Sequence, residues 1–185
     1  MRKITLMLFA VLLSFAGYSQ NCTELYFSEY IEGSSNNKGF EIYNPTSSAV
    51  SLSGYTIYLS GNGGSFTNTL TSSASIAPGD VFVVCTNQAD SLMQYEADTI
   101  LGFPSVSHFN GDDALILVGG TDTVDVIGVP GVDPGSSWTV GTGSTSDYTL
   151  VRNPSINVPN TTFTASEWTV YPKDTTTYIG SHTVS

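Results

Sequence analysis

Several acidic side chains lie close together in the second half of the sequence and are candidates for metal binding. Asp112 and Asp113 follow Asn110 and Gly111, and Asp125 comes on the next segment. Calcium takes about six to eight oxygen ligands, and carboxylates can supply them. The spacing matches no known calcium loop, however, and Asn and Asp also bond nearby backbone amides in ordinary turns. Asp112, Asp113 and Asp125 are therefore weak calcium candidates, and no other metal or cofactor is expected.

Catalysis would need a nucleophile, a base and an orienting group in contact. The sequence has two histidines as candidate bases, His108 and His182, and His108 precedes Asp112 by four positions. It has no Gly-x-Ser-x-Gly elbow, no His-Glu-x-x-His pair and no phosphate-binding glycine loop. No pair of acids stands out for glycoside hydrolysis either. We therefore expect no enzymatic activity and assign no catalytic residue.

Tyrosines are frequent in the first part of the chain, at positions 26, 30, 43, 55 and 58. On strands, aromatic side chains mostly pack into the core or form cross-strand pairs. If alternate ones such as Tyr43 and Tyr58 face outward, they form a platform for sugars or a protein partner instead. The sequence favours packing and leaves the platform open as an alternative.

The sequence has two cysteines, Cys22 and Cys85. An even number of cysteines in an exported chain makes a disulfide a candidate, although its geometry cannot be read from sequence. The alternative is that Cys85 is a small buried apolar side chain and Cys22 is unpaired.

The N-terminus has the pattern of a secretory signal peptide. Arg2 and Lys3 precede an apolar run over 4–16, and a small-x-small cleavage pattern follows. The run is shorter than the roughly 20 residues of a spanning helix. We therefore expect a signal peptide at 1–19, a mature chain at 20–185 without a transmembrane segment, and a location that is secreted, extracellular or at the cell surface.

The mature chain is strongly acidic. Its cations are Lys38, Arg152 and Lys173, against 16 acids. Neutralisation of phosphates by Lys and Arg supplies most of the affinity for nucleic acid. The charge therefore argues against direct nucleic-acid binding, and likewise against docking on anionic lipid.

Short apolar-polar alternations dominate the mature chain, and no segment has a sustained helical period. The predicted strands cover residues 25–31, 39–43, 55–59, 81–85, 113–118, 122–129, 148–152 and 167–171. One short helix is predicted over 88–97. Gly79, in the turn 77–80, is expected to have a positive φ, and Gly54 to need a conformation open to glycine. Strands at such short intervals favour an all-β sandwich in one domain.

The order of several motifs resembles the lamin tail domain in its bacterial secreted form. In the first half the matching segments are 26–33, 38–45, 50–55 and 76–84. In the second half they are 109–115, 124–128, 132–135, 149–152, 165–168 and 180–183. Each motif alone is weak, but their shared order covers about residues 24–183.

This resemblance implies an immunoglobulin-like β-sandwich that is used as a non-catalytic module. In that family the module often accompanies secreted nucleases or other cell-surface domains. The expected function is adhesion, targeting or binding, with an unknown protein or glycan at the cell surface as partner. One alternative is a small extracellular hydrolase or nuclease-associated domain with its own weak site. Another is a structural protein of the cell envelope.

The cleavage pattern gives a direct prediction. The exported protein should begin at Gln20, because the basic start, the short apolar run and the small residues define the cleavage site. N-terminal sequencing of the exported protein measures this. A folded, exported product that still carries Met1 would contradict the prediction.

Overall fold

The computed structural model describes residues 24–185. The predicted signal peptide and Cys22 lie outside the described residues. The strands, in chain order, are β1 (Tyr26–Glu32), β2 (Lys38–Tyr43), β3 (Val50–Ser51), β4 (Tyr55–Ser60), β5 (Phe66–Leu70), β6 (Ser75–Ile76), β7 (Val81–Thr86), β8 (Thr99–Leu101), β9 (Ala114–Gly119), β10 (Asp122–Ile127), β11 (Thr139–Val140), β12 (Gly143–Ser144), β13 (Tyr148–Arg152) and β14 (Trp168–Pro172). One α-helix, α1 (Ser91–Glu96), and three short 3-10 helices (Leu52–Gly54, Gly61–Gly63 and Ala165–Glu167) complete the elements. None of the described helices has the length and apolar character needed to cross a membrane.

The strands form two main sheets. The six-stranded sheet has the order β14-β13-β1-β2-β7-β8, and the four-stranded sheet has the order β10-β9-β4-β5. Two small pairs, β3-β6 and β11-β12, lie beside them. Every pairing is antiparallel except that of β7 with the short edge strand β8. The predicted all-β sandwich is confirmed.

The core lies between the two sheets, because each sheet turns one row of apolar side chains toward the other. In β4 the inward residues are Ile57 and Leu59, as their alternation with polar neighbours predicts. From the six-stranded sheet, Phe27, Phe40 and Leu150 meet them in the same buried cluster. The periodicity of the sequence thus identifies the inner face of these strands.

The central strands β1 and β2 are buried on both faces. Their outer face has a cluster of its own, in which Ile31 and Cys85 pack with Met93 of α1 and with Ile179 near the C-terminus. The six-stranded sheet is therefore covered on its outer side by α1 and by the C-terminal segment 173–185. This third layer positions the groove described below.

Six strands of the structure have no counterpart in the prediction: the short strands β3, β6, β8, β11 and β12, and the longer β5. β5 lies at the edge of its sheet and is largely exposed, so it lacks the inward apolar row that marks the other strands. β8 follows α1 and is only three residues long. The predicted helix exists but is shorter, because Asp90 caps its start by accepting a hydrogen bond from the Met93 amide at 2.9 Å.

The two glycine predictions have opposite outcomes. Gly79 has a φ of +73°, as the turn requires. The prediction for Gly54 is wrong, because Gly54 does not have a positive φ and an added Cβ would meet open space. Gly39 on β2 is the crowded position instead, since an added Cβ would lie 2.5 Å from the Met93 sulfur and 2.8 Å from the Val84 carbonyl oxygen.

This contrast gives a matched pair of variants. Gly39→Ala should lower the free energy of unfolding by about 1–3 kcal/mol, because the new methyl overpacks the contact between β2, β7 and α1. Gly54→Ala should change it by less than about 0.5 kcal/mol. Urea unfolding of the two variants measures the difference, and equal midpoints would contradict the packing described here.

Candidate functional site

A buried ion pair connects the two sheets. Asp125 on β10 and Arg152 at the end of β13 are almost fully buried, and Arg152 Nη1 lies 2.9 Å from Asp125 Oδ2. Arg152 Nη2 also donates to Glu167 at 2.7 Å. The guanidinium carbon lies 5.4 Å from the ring centre of Tyr26 and 5.0 Å from that of Trp168. The positive charge of Arg152 is thus neutralised and enclosed by aromatic rings.

The same pair completes the hydrogen bonding of β1. Asp125 accepts from the Phe27 amide at 2.8 Å, and Arg152 donates to the Phe27 carbonyl at 3.4 Å. Asp125 also accepts from the Asn160 amide at 2.7 Å. Burial raises the pKa of Asp125 to about 6, against the opposing effect of Arg152. The carboxyl is therefore ionised at neutral pH and acts as a structural anion.

The three calcium candidates do not converge. Asp113 accepts from the Asn62 amide at 2.8 Å and from the Asn110 amide at 2.7 Å, which is turn chemistry. Asp125 pairs in register with Leu117, four positions along β9 from Asp113, or about 13 Å away. Asp112 is partly exposed next to Asp113. Within residues 24–185 there is no group of three or more His, Cys, Asp or Glu placed to hold a metal.

Each of the three cations within the described residues is paired with an acid. Lys38 lies 2.8 Å from Glu32 and is almost fully buried. Its Nζ also donates to the Phe109 carbonyl at 2.6 Å. Lys173 lies 2.9 Å from Asp147 on the surface, and Arg152 is held as described above. No cation of residues 24–185 is left without a carboxylate partner.

His108 makes the contact that most resembles a catalytic pair. Its Nδ1 lies 2.7 Å from Ser105 Oγ, and its Nε2 has no hydrogen-bond partner. Burial lowers the pKa of His108. The His108 amide also donates to the Ser105 carbonyl at 3.1 Å, so the two residues form one turn. A nucleophile and a base are present here, but no carboxylate orients the imidazole, and the nearby Asp112 does not bond it in this structure.

Most of the tyrosines in the first part of the chain are structural. Tyr26, Tyr30 and Tyr43 are buried. Tyr58 is half-buried and lies 4.6 Å, centroid to centroid, from the exposed Phe66. Because Tyr43 is covered, an outward platform built from Tyr43 and Tyr58 does not exist.

Cys85 is fully buried, and burial raises the pKa of its thiol to about 11. Cys22 lies outside the described residues, so the disulfide stays a prediction. The register sets a demanding condition for it. Cys85 and Ile31 both pair with Gly39, whereas Glu24 lies seven positions back from Ile31, about 23 Å along β1. Cys22 is two positions before Glu24, and two residues of chain span only about 7 Å, which is much less than this separation.

Two carboxyl groups lie side by side on the outer face of the six-stranded sheet. Glu29 and Glu41 are directly opposite each other on β1 and β2, and both are almost fully buried. Glu41 accepts from Ser28 Oγ at 2.6 Å and from the Gly180 amide at 2.7 Å, which fastens the C-terminal segment to the sheet. Glu29 Oε1 has no hydrogen-bond partner. Burial raises the pKa of Glu29 to about 9 and that of Glu41 to about 7.

A groove lies between β13, β14 and the C-terminal segment. Its volume is about 230 Å³, and its walls include Arg152, Thr169, Tyr171, Thr177, Tyr178 and His182. The rings of Tyr171 and Tyr178 pack with their centres 4.4 Å apart. His182 packs against the rings of Tyr26 and Tyr43, and burial lowers the pKa of His182 to about 4. The imidazole is therefore neutral at physiological pH.

The sequence does not reveal this groove. Only the resemblance places residues 180–183 inside the domain, and nothing in their pattern shows that they fold back on β13 and β14. The one local signal is the pair of tyrosines at 171 and 178. The groove is the candidate binding site.

The two facing sheets and their covered outer face define an immunoglobulin-like β-sandwich. The family model described as Lamin Tail Domain matches residues 19–131, more than half of the chain. The chain therefore belongs to the Lamin Tail Domain family. A search of the curated proteins finds no match. β13 and β14 follow the matched range, but they belong to the same sheet, because β13 pairs with β1 and β14 pairs with β13.

The buried carboxyl of Glu29 predicts a stability that falls as pH rises. Its pKa in the folded protein lies above the ordinary value of 4.5, so the protonated form favours folding, and this contribution is lost as pH rises from about 4.5 to 9. Glu29→Gln keeps a neutral side chain at every pH. The free energy of unfolding of Glu29→Gln, minus that of the unmodified protein, should therefore increase by about 1 kcal/mol per pH unit between pH 5 and 8.

Urea unfolding at several pH values measures this difference. Asp122→Asn is the control, because Asp122 is exposed on β10. Its curve should run parallel to that of the unmodified protein. A parallel curve for Glu29→Gln would contradict a protonated, buried Glu29.

Proposed function

We propose that this chain is a non-catalytic binding module that works outside the cytoplasm and holds an associated protein near a protein or glycan partner. The observation that supports the proposal best is the groove on the outer face. It is concave, has aromatic side chains at its wall and is built on paired strands of the sandwich. Binding sites of this kind are concave and carry a few placed polar groups.

The charged groups support a binding role rather than hydrolysis. Asp113, Asp125 and Glu41 are engaged by backbone amides, and Asp125 also by Arg152. Metal-assisted hydrolysis needs carboxylates that converge on a cation and a group that activates water. Within the described residues, the acids instead hold turns, strands and the C-terminal segment in place.

The alternative of a small hydrolase has one observation in its favour, the contact of Ser105 with His108. A local turn accounts for that contact, since the two residues are three positions apart and also share a backbone hydrogen bond. The remaining alternative, a structural protein of the cell envelope, predicts no soluble partner at all.

Capture of a partner tests the binding role. Immobilised mature protein, residues 20–185, should retain a partner from cell-surface extracts or a glycan from a panel. An unfolded sample of the same chain serves as the control. Retention by neither the extract nor the panel would favour the structural alternative.

The ion pairs give a separate prediction for nucleic acid. The purified mature chain should neither nick plasmid DNA nor shift DNA in a gel at physiological salt. The reason is that Lys38 and Arg152 are buried, Lys173 is paired, and acids dominate the remaining charge.

Plasmid incubation in magnesium and in calcium, beside a gel-shift series in salt, measures both activities. Ser105→Ala and Asp112→Ala are the diagnostic variants. Nicking that disappears in either variant would show that the protein is an enzyme, and it would contradict the proposal of a non-catalytic binding module. A salt-sensitive gel shift would contradict the argument from charge.

A further inference from the structure

The groove between β13, β14 and the C-terminal segment has a distinctive chemistry, because its polar walls carry no uncompensated charge. Thr169, Thr177 and Ser181 contribute hydroxyl groups, and Tyr171 and Tyr178 contribute phenols. None of the side chains that line it is a carboxylate.

The one cation in the wall does not attract anions strongly. Arg152 is bonded to Asp125 and Glu167, so its charge is already balanced. His182 is neutral at physiological pH. The mature chain as a whole is acidic, which repels phosphate, sulfate and uronate groups. The ligand that fits this wall is neutral and polar.

Two polar atoms of the same wall lack partners. Arg152 Nε and His182 Nε2 are among the few buried side-chain atoms of the described residues without a hydrogen bond. An arginine N–H only donates, whereas a neutral imidazole nitrogen accepts or donates according to its tautomer. A hydroxyl group does both, so hydroxyls suit this pair. Both atoms have almost no exposed surface, so a direct hydrogen bond from a ligand requires the wall to move.

The size and the aromatic side chains narrow the class of ligand further. A volume of about 230 Å³ is below the roughly 300–1,000 Å³ of pockets for drug-sized molecules, so one small ring fits. Tyr178 is 39% exposed and packs against Tyr171, so part of this aromatic pair is open to solvent. Such rings offer an apolar surface beside a polar hydroxyl.

We propose that this groove binds one ring of a neutral carbohydrate, with Tyr178 and Tyr171 packing on the sugar and Thr177 and His182 bonding its hydroxyls. This inference rests on the proposed binding function and names the ligand class of the same site. The binding depends little on salt, because no charge is neutralised.

A panel of neutral, amino and acidic polysaccharides, read by affinity electrophoresis and by calorimetry with short oligosaccharides, tests the proposal. The mature chain should bind at least one neutral glycan, with affinity that stays constant between low and physiological salt. Tyr178→Ala should weaken this binding by about three- to tenfold. Thr177→Val, which keeps the shape and removes one hydroxyl, should weaken it several-fold as well.

Tyr95→Ala is the matched control, because Tyr95 is 83% exposed on α1, outside the groove. It should bind like the unmodified chain. Thermal melts of all three variants separate loss of binding from loss of fold.

The outcomes separate this inference from the proposed function. If the chain captures a protein partner while no neutral glycan binds, the carbohydrate inference fails and the binding module stands. If a glycan binds equally well to Tyr178→Ala and Thr177→Val, the groove is not its site. If only acidic glycans bind, and salt abolishes the binding, the chemistry assigned to the groove is wrong. If nothing binds at all, both proposals fail.

Discussion

The buried pair of Asp125 and Arg152 is the interaction on which the arrangement of the two sheets depends. β13 ends at Arg152, so the Phe27 amide and carbonyl on β1 have no strand partner on that side. The ion pair supplies both missing hydrogen bonds and brings Asp125 across from the other sheet. Removing one partner of such a pair leaves a buried charge unpaired, which commonly costs about 3–5 kcal/mol. The pair therefore fixes the relative position of the two sheets, and neither partner can be removed alone without a large loss of stability.

The strands of the core were predictable because they alternate between two environments. Ile57 and Leu59 face the core while Thr56 and Tyr58 do not, and the alternation of residue types along β4 predicts this difference. The edge strand β5 is largely exposed, so its residues resemble those of a loop. The prediction for Gly54 is wrong for a related reason, since a glycine between two strands suggests a special turn, yet its φ is not positive and its surroundings are open. The apolar-polar pattern of the sequence identifies strands that bury one face, and it is a weak signal for segments that stay exposed.

The candidate site was beyond sequence reasoning because it depends on contacts between distant parts of the chain. Glu41 and Gly180 are 139 positions apart, and their hydrogen bond holds the segment that closes the groove. For Asp125 the sequence shows the residue but not its role, because an aspartate can serve equally as a metal ligand or as the partner in an ion pair. Its role follows from the fold, which places Arg152 Nη1 2.9 Å from its carboxylate. The residue type limits which roles a side chain can have, and the contacts made by distant parts of the chain determine which of those roles it has.

The third layer links stability to binding. Covering the outer face buries Ile31 and Cys85, but it also buries Glu29, whose carboxyl lacks a partner for one oxygen. A buried acid is costly when ionised, so its proton is retained to a higher pH. A sheet without this layer would leave Glu29 in water, and His182 would not meet Tyr26 and Tyr43. The groove therefore exists because the C-terminal segment is held down, and the bonds of Glu41 to the Gly180 amide and of Thr149 to the Thr175 carbonyl both contribute to holding it.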